Sequence, residues 1–550
     1  MTIQQKPTVI LTDNVSPLAA EILQPVADVR VEPTQKGDDL KALLKEADAI
    51  IVRSATQIGA EDLKSGSRLK IIGRAGVGVD NIDLSEATKS GVVVVNSPEG
   101  NTVAASEHTV AMIMALLRNV AQGHAGMAQG KWNRKALTGV EMFGKTVGIV
   151  GFGKIGSRVA RVMQALGANI LAYDPFLTPD RAKQLDIQSV SLDELLNQSD
   201  LISLHAPKTR ETHHLINSES LAKCKKGVRI VNCARGALID DEALVKAIQS
   251  GQVSGAALDV FNEEPLPANH PFIQLVQDPQ YSKQLLLTPH LGASTEEAQV
   301  QVALDVAQQI KTYFEEGVAQ SAVNIPALRH EVMAPVKQYL PMAETLGRCM
   351  GQWIQDSITS LEITAGGSMS EHNMSPVTLA VLKGLLGVHH EGINYVNAQV
   401  SAEKQGIEVK ESQVAKLPHF QNKLSLVATT THGTSYTLAG SVYHDNQFHL
   451  VQVNQFPLSL EPTSHVLIIP HENKPGMVGV VSSILGKQSI NISGLDVAKS
   501  VITNLNEEQR GLQTDSPSVM VFNLDTPVPD ECLNTLRQQD GILSVDYWVL

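Results

Sequence analysis

In the segment VGIVGFGKIGSRVARVMQALG, residues 147–167, an apolar strand pattern is followed by a glycine turn and then by a helix pattern. Gly151, Gly153 and Gly156 have the spacing G-x-G-x-x-G in this strand–turn–helix context. The first glycine makes the tight turn, the second lets a pyrophosphate approach the backbone, and the third lets the helix pack on the strand. Free amide groups and the positive end of the helix dipole then face the phosphates. The stretch therefore predicts a dinucleotide-binding unit.

The choice of dinucleotide depends on the end of the next predicted strand, LAYDP, where Asp174 lies 23 residues after Gly151. A carboxylate at this position accepts hydrogen bonds from both ribose hydroxyls and repels a 2′-phosphate. Pro175 and Phe176 follow it, so the sequence places no arginine there to favour NADP. The predicted cofactor is NAD.

Strand and helix patterns alternate on both sides of this unit. Before it, TVILTD, DAIIVRS, LKIIGRAG and GVVVVNS are typical of strands buried on both faces. After it come NILAYDP, DLISLHAP, GVRIVNCARG and VSGAALDVF, separated by helix patterns. Between the two series, TVAASEHTVAMIMALLRNV predicts a helix with Asn101 or Thr102 as its N-cap. The alternation predicts an α/β fold with two doubly wound parallel-sheet domains, one flavodoxin-like and one of Rossmann type.

The pattern changes after residue 325. Residues 326–460 mix helices with strands of period two, including a hairpin expected to turn at Asp445–Asn446, and predict an α+β domain. Residues 464–550 have the order strand–helix–strand twice, which predicts a ferredoxin-like α+β domain. Between its halves, TNLNEEQRGLQTDSP is polar enough to predict a mobile loop.

The bulk composition narrows the class of protein. A chain of 550 residues is too long for one hydrophobic core, and 43% hydrophobic and 18% charged residues are typical of soluble proteins. A net charge of -13 argues against nucleic acid or an anionic membrane as the main partner. The four cysteines lack zinc-binding spacing, and the chain lacks a signal peptide pattern or a long apolar run. We therefore expect a cytoplasmic protein without a metal site.

Three polar residues each follow a predicted strand: Arg235 in VNCARGALID, Glu264 in ALDVFNEEPL and His290 in LLLTPHLGAS. Ligands of open α/β sheets bind beyond the carboxyl ends of the strands, so all three can converge on a nicotinamide. A histidine can accept a hydroxyl proton as hydride leaves, a carboxylate can orient the imidazole, and an arginine can bind a substrate carboxylate. Singly, each has a structural explanation: a surface ion pair, a solvated loop charge and a core histidine. Together they predict the oxidation of an alcohol.

The blocks VGIVGFGKIG, NCARGALID, DVFNEEP and TPHLGAST resemble the signature sequences of the D-isomer-specific 2-hydroxyacid dehydrogenases. The whole chain is similar to the long members of this family, which carry an intervening domain and a terminal ACT-type regulatory domain. The resemblance implies a discontinuous substrate-binding domain (1–100 and 290–325), an NAD-binding domain (101–289), an intervening domain (326–460) and an ACT domain (464–550).

The resemblance also implies an activity, the NAD-dependent oxidation of 3-phospho-D-glycerate to 3-phosphohydroxypyruvate, which is the first step of the phosphorylated route to L-serine. A side reduction of 2-oxoglutarate to 2-hydroxyglutarate is implied as well. Arg235, Glu264 and His290 would be the catalytic set, with His290 as proton acceptor. The expected NAD contacts are Gly151, Gly153, Lys154, Ile155, Gly156, Asp174, Pro207, Cys233, Ala234, Arg235, Asp259, His290, Leu291, Gly292 and Ala293.

The segments IVRSAT and GRAG place arginines at the ends of two neighbouring predicted strands of the first domain. Guanidinium groups match the charge and oxygens of a phosphate, which favours phosphoglycerate over plain glycerate. The segment KWNRK contains an arginine that resembles one which some relatives extend into a neighbouring subunit. For each arginine, a surface ion pair is the alternative. The expected substrate-binding residues are Arg53, Ser54, Arg74, Gly76, Arg134, Arg235 and His290.

The tail segment PHENKPGMVGVV resembles the first loop of an ACT domain, in which Pro475 and Gly476 open a helix whose amides could hold a carboxylate. His471, Asn473 and Asn491 match positions through which relatives bind L-serine as a feedback inhibitor. The alternative is a domain that only assembles subunits. We expect a homo-oligomer, either a dimer or a tetramer.

Two other functions compete with this interpretation. One is a different reductase of the family, acting on glyoxylate, hydroxypyruvate or D-lactate, whose chains usually end near residue 325 of this sequence. The other is an NAD-sensing, corepressor-like scaffold without turnover. The long chain beyond residue 325 argues against the first, and the sequence has no basic or disordered tract to favour the second.

Overall fold

The computed structural model describes residues 6–443, 447–499 and 517–550. Within these ranges the named strands form four sheets, of which two are entirely parallel, one is mixed and one is antiparallel. Each sheet is built from strands that are consecutive in the chain, so four units follow one another. The predicted order of two α/β units and two α+β units is confirmed.

The first unit has a five-stranded sheet with strands β1 (Thr8–Leu11), β2 (Asp28–Val31), β3 (Ala49–Val52), β4 (Ile71–Arg74) and β5 (Val93–Asn96). Its helices are α1 (Leu18–Leu23), α2 (Gly37–Glu46), α3 (Ala60–Ser65) and α4 (Leu84–Lys89), joined by the later helix α13 (Glu296–Glu316). The strand order β2-β1-β3-β4-β5 is flavodoxin-like. Helices α1 and α13 cover one face of the sheet, and α2, α3 and α4 cover the other, so the central strands are buried on both faces.

The second unit has seven parallel strands: β6 (Thr146–Val150), β7 (Asn169–Tyr173), β8 (Gln188–Ser189), β9 (Leu201–Leu204), β10 (Val228–Asn232), β11 (Val253–Leu258) and β12 (Leu285–Leu287). Its helices are α5 (Thr102–Arg118), α6 (Val120–Ala128), α7 (Lys154–Ala165), α8 (Pro179–Gln184), α9 (Leu192–Gln198), α10 (Ser218–Lys223), α11 (Asp241–Gln249) and α12 (Pro271–Gln277). The order β12-β11-β10-β9-β6-β7-β8 reverses direction at β6, where the chain carries the glycine turn. This reversal is the point at which open α/β sheets bind dinucleotides.

The chain passes between these two units twice, at residues 97–101 and again after β12. The first passage is fixed by a hydrogen bond in which Ser97 Oγ donates to Asp305 Oδ2 on α13, at 2.6 Å. Glu99 in the same segment forms an ion pair with Lys154 of the glycine turn. The first chain segment that links the two units is therefore short and is held by contacts to both of them.

The third unit is a mixed sheet with strands β13 (Ile358–Gly367), β14 (Glu408–Val414), β15 (Asn422–Thr430), β16 (Ser435–Val442), β17 (Phe448–Val453) and β18 (Phe456–Leu460). Its helices are α14 (His330–Met333), α15 (Leu340–Trp353), α16 (Ser375–Gly387) and α17 (Ala398–Lys404). Helices α15 and α16 pack so closely that a Cβ on Gly384 would lie 2.0 Å from the carbonyl oxygen of Glu344. Their apolar residues join the inner face of the sheet in one core.

The fourth unit has the chain order β19 (His465–His471), α18 (Met477–Lys487), β20 (Ile492–Lys499), β21 (Ser518–Leu524), α19 (Asp530–Arg537) and β22 (Asp546–Val549). The strands pair antiparallel in the order β20-β21-β19-β22, which is the ferredoxin-like arrangement. Gln352 of α15 anchors this unit, because it accepts a hydrogen bond from Val549 N at 2.9 Å and donates one to Val549 O at 2.8 Å.

Several details differ from the sequence-based expectations. Asn101 takes the predicted N-cap position of α5, but its side chain makes no capping hydrogen bond. Helix α5 ends at Arg118 because Asn119 takes a left-handed conformation, and α6 begins at Val120. Strand β16 pairs with β17 as predicted, whereas the turn at Asp445–Asn446 lies outside the described residues, as does most of the predicted mobile loop at 503–517.

Short 3-10 helices lie at Arg134–Leu137, Gly236–Leu238, Pro326–Leu328, Ala334–Tyr339 and Ser368–Glu371. In the parts of the chain that the structure covers, no helix is long and apolar enough to cross a membrane.

Candidate active site

The glycine turn lies between β6 and α7, and its three glycines have different surroundings. Gly151 has a φ of +90°, and a Cβ there would lie 2.7 Å from the carbonyl carbon of His205. A Cβ on Gly156 would lie 2.2 Å from the carbonyl oxygen of Gly151, so helix and turn are in direct contact. Gly153 has open space where a Cβ would be, with no atom within 4 Å. The turn therefore leaves room at its middle glycine for a group that must approach the backbone, and Lys154 and Ile155 begin the helix behind it.

Asp174 follows β7 and lies beside the glycine turn. Its carboxylate accepts hydrogen bonds from Phe152 N at 2.7 Å and from Phe176 N at 2.8 Å. The first of these bonds joins the end of β7 to the turn after β6. The carboxylate is thereby held at the rim of the space that Gly153 leaves open.

The other residues expected to contact NAD follow the carboxyl ends of neighbouring strands. Pro207 is exposed after β9, Cys233 and Ala234 are half-buried after β10, and Asp259 follows β11. Burial raises the pKa of the Cys233 thiol to about 12, so this cysteine is a neutral packing group. Leu291, Gly292 and Ala293 follow β12. Because the sheet is parallel, all these positions lie along one edge.

His290 and Glu264 form a direct pair, in which His290 Nδ1 lies 2.6 Å from Glu264 Oε2. The imidazole side chain is 49% exposed and the carboxylate 36% exposed, so both are accessible to solvent. Burial raises the pKa of Glu264, but hydrogen bonds from His290 and from Phe261 N lower it, and the net shift is downward. An ionised Glu264 accepts a hydrogen bond from Nδ1–H, which leaves the lone pair of the other ring nitrogen, Nε2, free.

Arg235 is tied to the loop that carries Glu264 through its neighbour Gly236. A Cβ on Gly236 would lie 2.0 Å from the carbonyl carbon of Phe261, so the two loops touch at the backbone. The Arg235 side chain points across the cleft to the first unit, where its Nε lies 3.5 Å from Asp80 Oδ2. The predicted three residues therefore lie on adjoining loops, with Glu264 and His290 in contact and Arg235 extended towards the first unit.

Three arginines cluster where β3, β4 and β10 end. Burial, together with the charges of Arg235 and Arg53, lowers the pKa of Arg74 to about 10. The Nε of Arg74 is buried and has no hydrogen-bond partner among the described residues. Gly76 has a φ of +150°, a conformation that favours glycine, and a Cβ on it would lie 1.6 Å from Arg74 Nη1. Three like charges with an unsatisfied donor make a strong anion-binding position.

Asp13 holds the loop that carries Arg53 and Ser54. This buried carboxylate accepts hydrogen bonds from Arg53 N at 2.8 Å, Thr56 N at 2.9 Å and Thr56 Oγ1 at 2.6 Å. Burial raises the pKa of Asp13, but the hydrogen bonds from Thr56, Thr34 and Arg53 outweigh it and lower the pKa. Sequence reasoning missed this residue, although its place directly after β1 was a signal of the same kind as the others.

The structure does not bring Arg134 to the arginine cluster. It lies in the exposed 3-10 helix Arg134–Leu137 that follows α6. Of the three effector candidates, Asn491 is separated from the other two within one chain. The strand register places His471 beside Ser518 and Lys499, whereas Asn491 directly precedes Ile492, which lies beside Leu524 and His465 at the other end of the sheet. His471 and Asn491 are thus separated by roughly 20 Å of strand.

Comparison with known proteins assigns the chain to a family. A model of the D-isomer specific 2-hydroxyacid dehydrogenase NAD binding domain matches residues 110–292, and a model of the D-3-phosphoglycerate dehydrogenase intervening domain matches residues 335–454. The D-3-phosphoglycerate dehydrogenase of Synechocystis sp. is 43% identical over 97% of this chain and 93% of its own length. The chain belongs to the D-3-phosphoglycerate dehydrogenase family. The Bacillus subtilis member is 38% identical over 95% of this chain and 96% of its own.

Solved structures of shorter relatives match only part of this chain. A glyoxylate reductase from Paecilomyes thermophila has a TM-score of 0.53 and 30% identity, and covers 58% of this chain and 99% of its own. The D-lactate dehydrogenase of Aquifex aeolicus, complexed with NAD and lactic acid, has a TM-score of 0.51 and 30% identity and covers 57% and 99%. The two D-3-phosphoglycerate dehydrogenases named above match 97% and 95% of this chain, so they also cover the third and fourth units, which argues against a short-chain reductase.

Proposed function

We propose that this chain oxidises 3-phospho-D-glycerate to 3-phosphohydroxypyruvate with NAD, as the entry step of L-serine synthesis. The observation that carries the proposal is the His290–Glu264 pair, at 2.6 Å, on the strand edge that also holds Arg235. The family relatives, matched over nearly their whole length, carry the name of this activity.

The residues present fit NAD. Gly153 leaves the middle of the glycine turn open, the turn amides and the start of α7 suit a pyrophosphate, and Asp174 suits ribose hydroxyls. The matched family model is an NAD-binding domain and covers this turn. Bound NAD supplies the acceptor for the hydride that leaves C2 of the substrate.

His290 moves the proton in this scheme. Its Nδ1–H is donated to the ionised Glu264, so Nε2 is free to accept the proton of the substrate C2 hydroxyl. As the C2–H bond breaks and hydride departs, the C2–O bond becomes a carbonyl and the proton remains on Nε2. Glu264 stabilises the resulting imidazolium through the same hydrogen bond.

Different arginines bind the two charged ends of the substrate. Arg235 lies on the loop beside Glu264 and His290, so it binds the carboxylate next to the reacting carbon and polarises the new carbonyl. Arg53 and Arg74, at the ends of β3 and β4, lie on the far side of the cleft and bind the phosphate. An anion of this size relieves the mutual repulsion of the three guanidinium groups.

We also propose a homo-oligomer built through the segment 120–137, called the α6 arm. None of the nine residues of α6 is buried in its own chain, and Val120, Met127 and Trp132 are 58%, 55% and 82% exposed. A short helix without a buried face is not stable alone, so we propose that a second copy of the chain packs against it. In that assembly Arg134 of the arm could reach the neighbour's cleft, which supports its expected substrate contact.

L-Serine binding at the fourth unit remains part of the proposal. His471 is buried, its Nδ1 lies 2.7 Å from the Glu472 carbonyl, and its Nε2 has no partner among the described residues. Asn473 follows in the same loop, before α18. Because Asn491 lies at the other end of the sheet, it can join this site only from a second copy of the chain.

The chain has four free cysteines, and three of them are buried. Unpaired cysteines are typical of proteins in the reducing environment of the cytoplasm, which supports a cytoplasmic location.

The test is NADH formation by the purified full-length chain from 3-phosphoglycerate, with the keto product trapped to pull the reaction. Turnover on this substrate, and much less on glycerate, D-lactate or glycolate, is expected. Preference for an unphosphorylated acid would favour a different reductase, and no turnover on any 2-hydroxy acid would favour the scaffold. Adding L-serine to the same assay tests the effector site, for which inhibition that His471→Ala abolishes is the expected result.

A further inference from the structure

The turn that carries His290 is held by one buried carboxylate. Asp259 is completely buried, and its Oδ1 accepts hydrogen bonds from Leu291 N at 2.7 Å and from Thr288 Oγ1 at 2.6 Å. Its Oδ2 accepts one from Gly292 N at 2.9 Å. His290 itself has a φ of +55°, a left-handed conformation, and its N–H donates to the Asp259 carbonyl oxygen at 2.9 Å. The direction of the His290 side chain therefore depends on how Asp259 is oriented.

One donor to Asp259 comes from a distant part of the chain. His108 on α5 places its Nε2 3.1 Å from Asp259 Oδ1 and 3.3 Å from Thr288 Oγ1. An ionised carboxylate can only accept, so the proton of this bond belongs to His108 Nε2. Burial raises the pKa of Asp259, but the hydrogen bonds from His108, Thr288 and Leu291 outweigh it and lower the pKa. Asp259 is therefore held as a charged acceptor by donors from three parts of the chain: α5, Thr288 and the backbone of residues 291–292.

His108 also joins the two passages between the units. Helix α5 begins at Thr102, directly after the passage at 97–101, and Thr288 directly follows β12 at the second passage. The helix is firmly packed, since Met112 and Ile113 lie in the core that α5 shares with α7. The packing of α5 therefore holds His108 in place beside the turn that carries His290.

We infer that His108 is a positioning residue for the dehydrogenation, a role that rests on the proposed function. Its N–H orients Asp259, and Asp259 in turn holds residues 288–292 so that His290 Nε2 faces the substrate hydroxyl. The His108 side chain is only 18% exposed, and its ring is used on Asp259 rather than on substrate. Without this donor, the carboxylate turns towards its remaining donors and the turn shifts with it. A displacement of about 1 Å at a reacting group is enough to lower turnover by a large factor.

The experiment compares three variants of the full-length chain: His108→Leu, His108→Gln and, as a matched control, His419→Leu. Glutamine keeps an N–H near the position of Nε2, whereas leucine keeps only the bulk. His419 is exposed in the loop between β14 and β15, away from the cleft. Turnover is expressed per NADH-binding site, titrated by NADH fluorescence, so that unfolded molecules are not counted.

We expect His108→Leu to lower kcat by about tenfold or more, with KM for the hydroxy acid changed by less than about threefold. His108→Gln should keep kcat within about threefold of the wild type, and His419→Leu should match it. Wild-type kcat in His108→Leu, or equal losses in the leucine and glutamine variants, would overturn the inference. A wild-type chain that turns over no 2-hydroxy acid would instead contradict the proposed function and this inference together.

Discussion

In the proposed reaction, each ring nitrogen of His290 has its own task. Nδ1 is held by Glu264 at 2.6 Å, which fixes the tautomer, and Nε2 is left to accept the proton. His290→Ala should therefore lower kcat by about a hundredfold or more, because no other positioned base replaces the ring. NAD affinity should change little, since the glycine turn and Asp174 remain intact. Steady-state kinetics and an NADH titration measure the two effects, and unchanged turnover would reduce His290 to a structural residue.

Arg53 tests whether the arginine cluster recognises a phosphate. Arg53→Ala should lower kcat/KM for 3-phosphoglycerate by about tenfold or more, because charge-assisted hydrogen bonds to an anion are lost. The loss with 2-hydroxyglutarate or D-lactate should be much smaller. Arg30→Ala is the matched control, since Arg30 pairs with Glu46 on the surface of the same unit. Equal losses on phosphorylated and unphosphorylated acids would show that Arg53 does not bind the phosphate.

At the scale of single elements, the turn at residues 288–292 depends on the ionised form of Asp259. The lowered pKa of Asp259 means that the unfolded chain binds its proton more readily than the folded chain does. The stabilisation is therefore complete above pH 3.8, the usual value for an aspartate, and is lost as the pH falls towards the lower, folded value. Asp259→Asn should lower the free energy of unfolding by about 1–3 kcal/mol at neutral pH. It should also make the acid-side decline shallower.

Thermal unfolding followed by circular dichroism, from neutral to acid pH, measures both parts of this prediction. Asp180→Asn, at an exposed aspartate in the first turn of α8, should leave the profile close to that of the wild type. An Asp259→Asn profile that keeps the full acid-side decline would mean that other carboxylates are responsible for it.

The elements also show where sequence reasoning worked. The glycine turn could be predicted because each of its glycines has a separate steric role. The charged residues after β10, β11 and β12 could be predicted because the carboxyl ends of parallel strands lie along the same edge of the sheet. Strand β2 was not predicted, since DVRV is an edge strand with little buried surface and a weak pattern. His108 was equally hidden, because a helix pattern does not show which side chain will face a carboxylate 151 residues later.

At the scale of the whole molecule, the order of the four units followed from the changing periodicity of the sequence. How the fourth unit docks did not, because Gln352 meets Val549 and Trp353 meets Trp548 across nearly two hundred residues. Contacts this far apart in the chain leave no local pattern. The same limit applies to contacts between subunits, for which an exposed apolar surface is the available signal.

The α6 arm is such an exposed apolar surface. Its proposed role in assembly can be tested by placing a single charged residue in it. Trp132 is 82% exposed, and a glutamate in its place would put a charge in the proposed subunit contact. Trp132→Glu should weaken self-association by about thirtyfold or more, as expected for an aromatic residue at the centre of an interface. It should also lower kcat/KM for the phosphorylated substrate, because Arg134 would no longer reach a neighbour. Val31→Glu, at an exposed position of edge strand β2, should leave assembly unchanged. Analytical ultracentrifugation measures the mass of the assembly, and the kinetic assay is run on the same samples. If the Trp132→Glu variant formed an assembly of wild-type mass, the subunit contact would lie elsewhere.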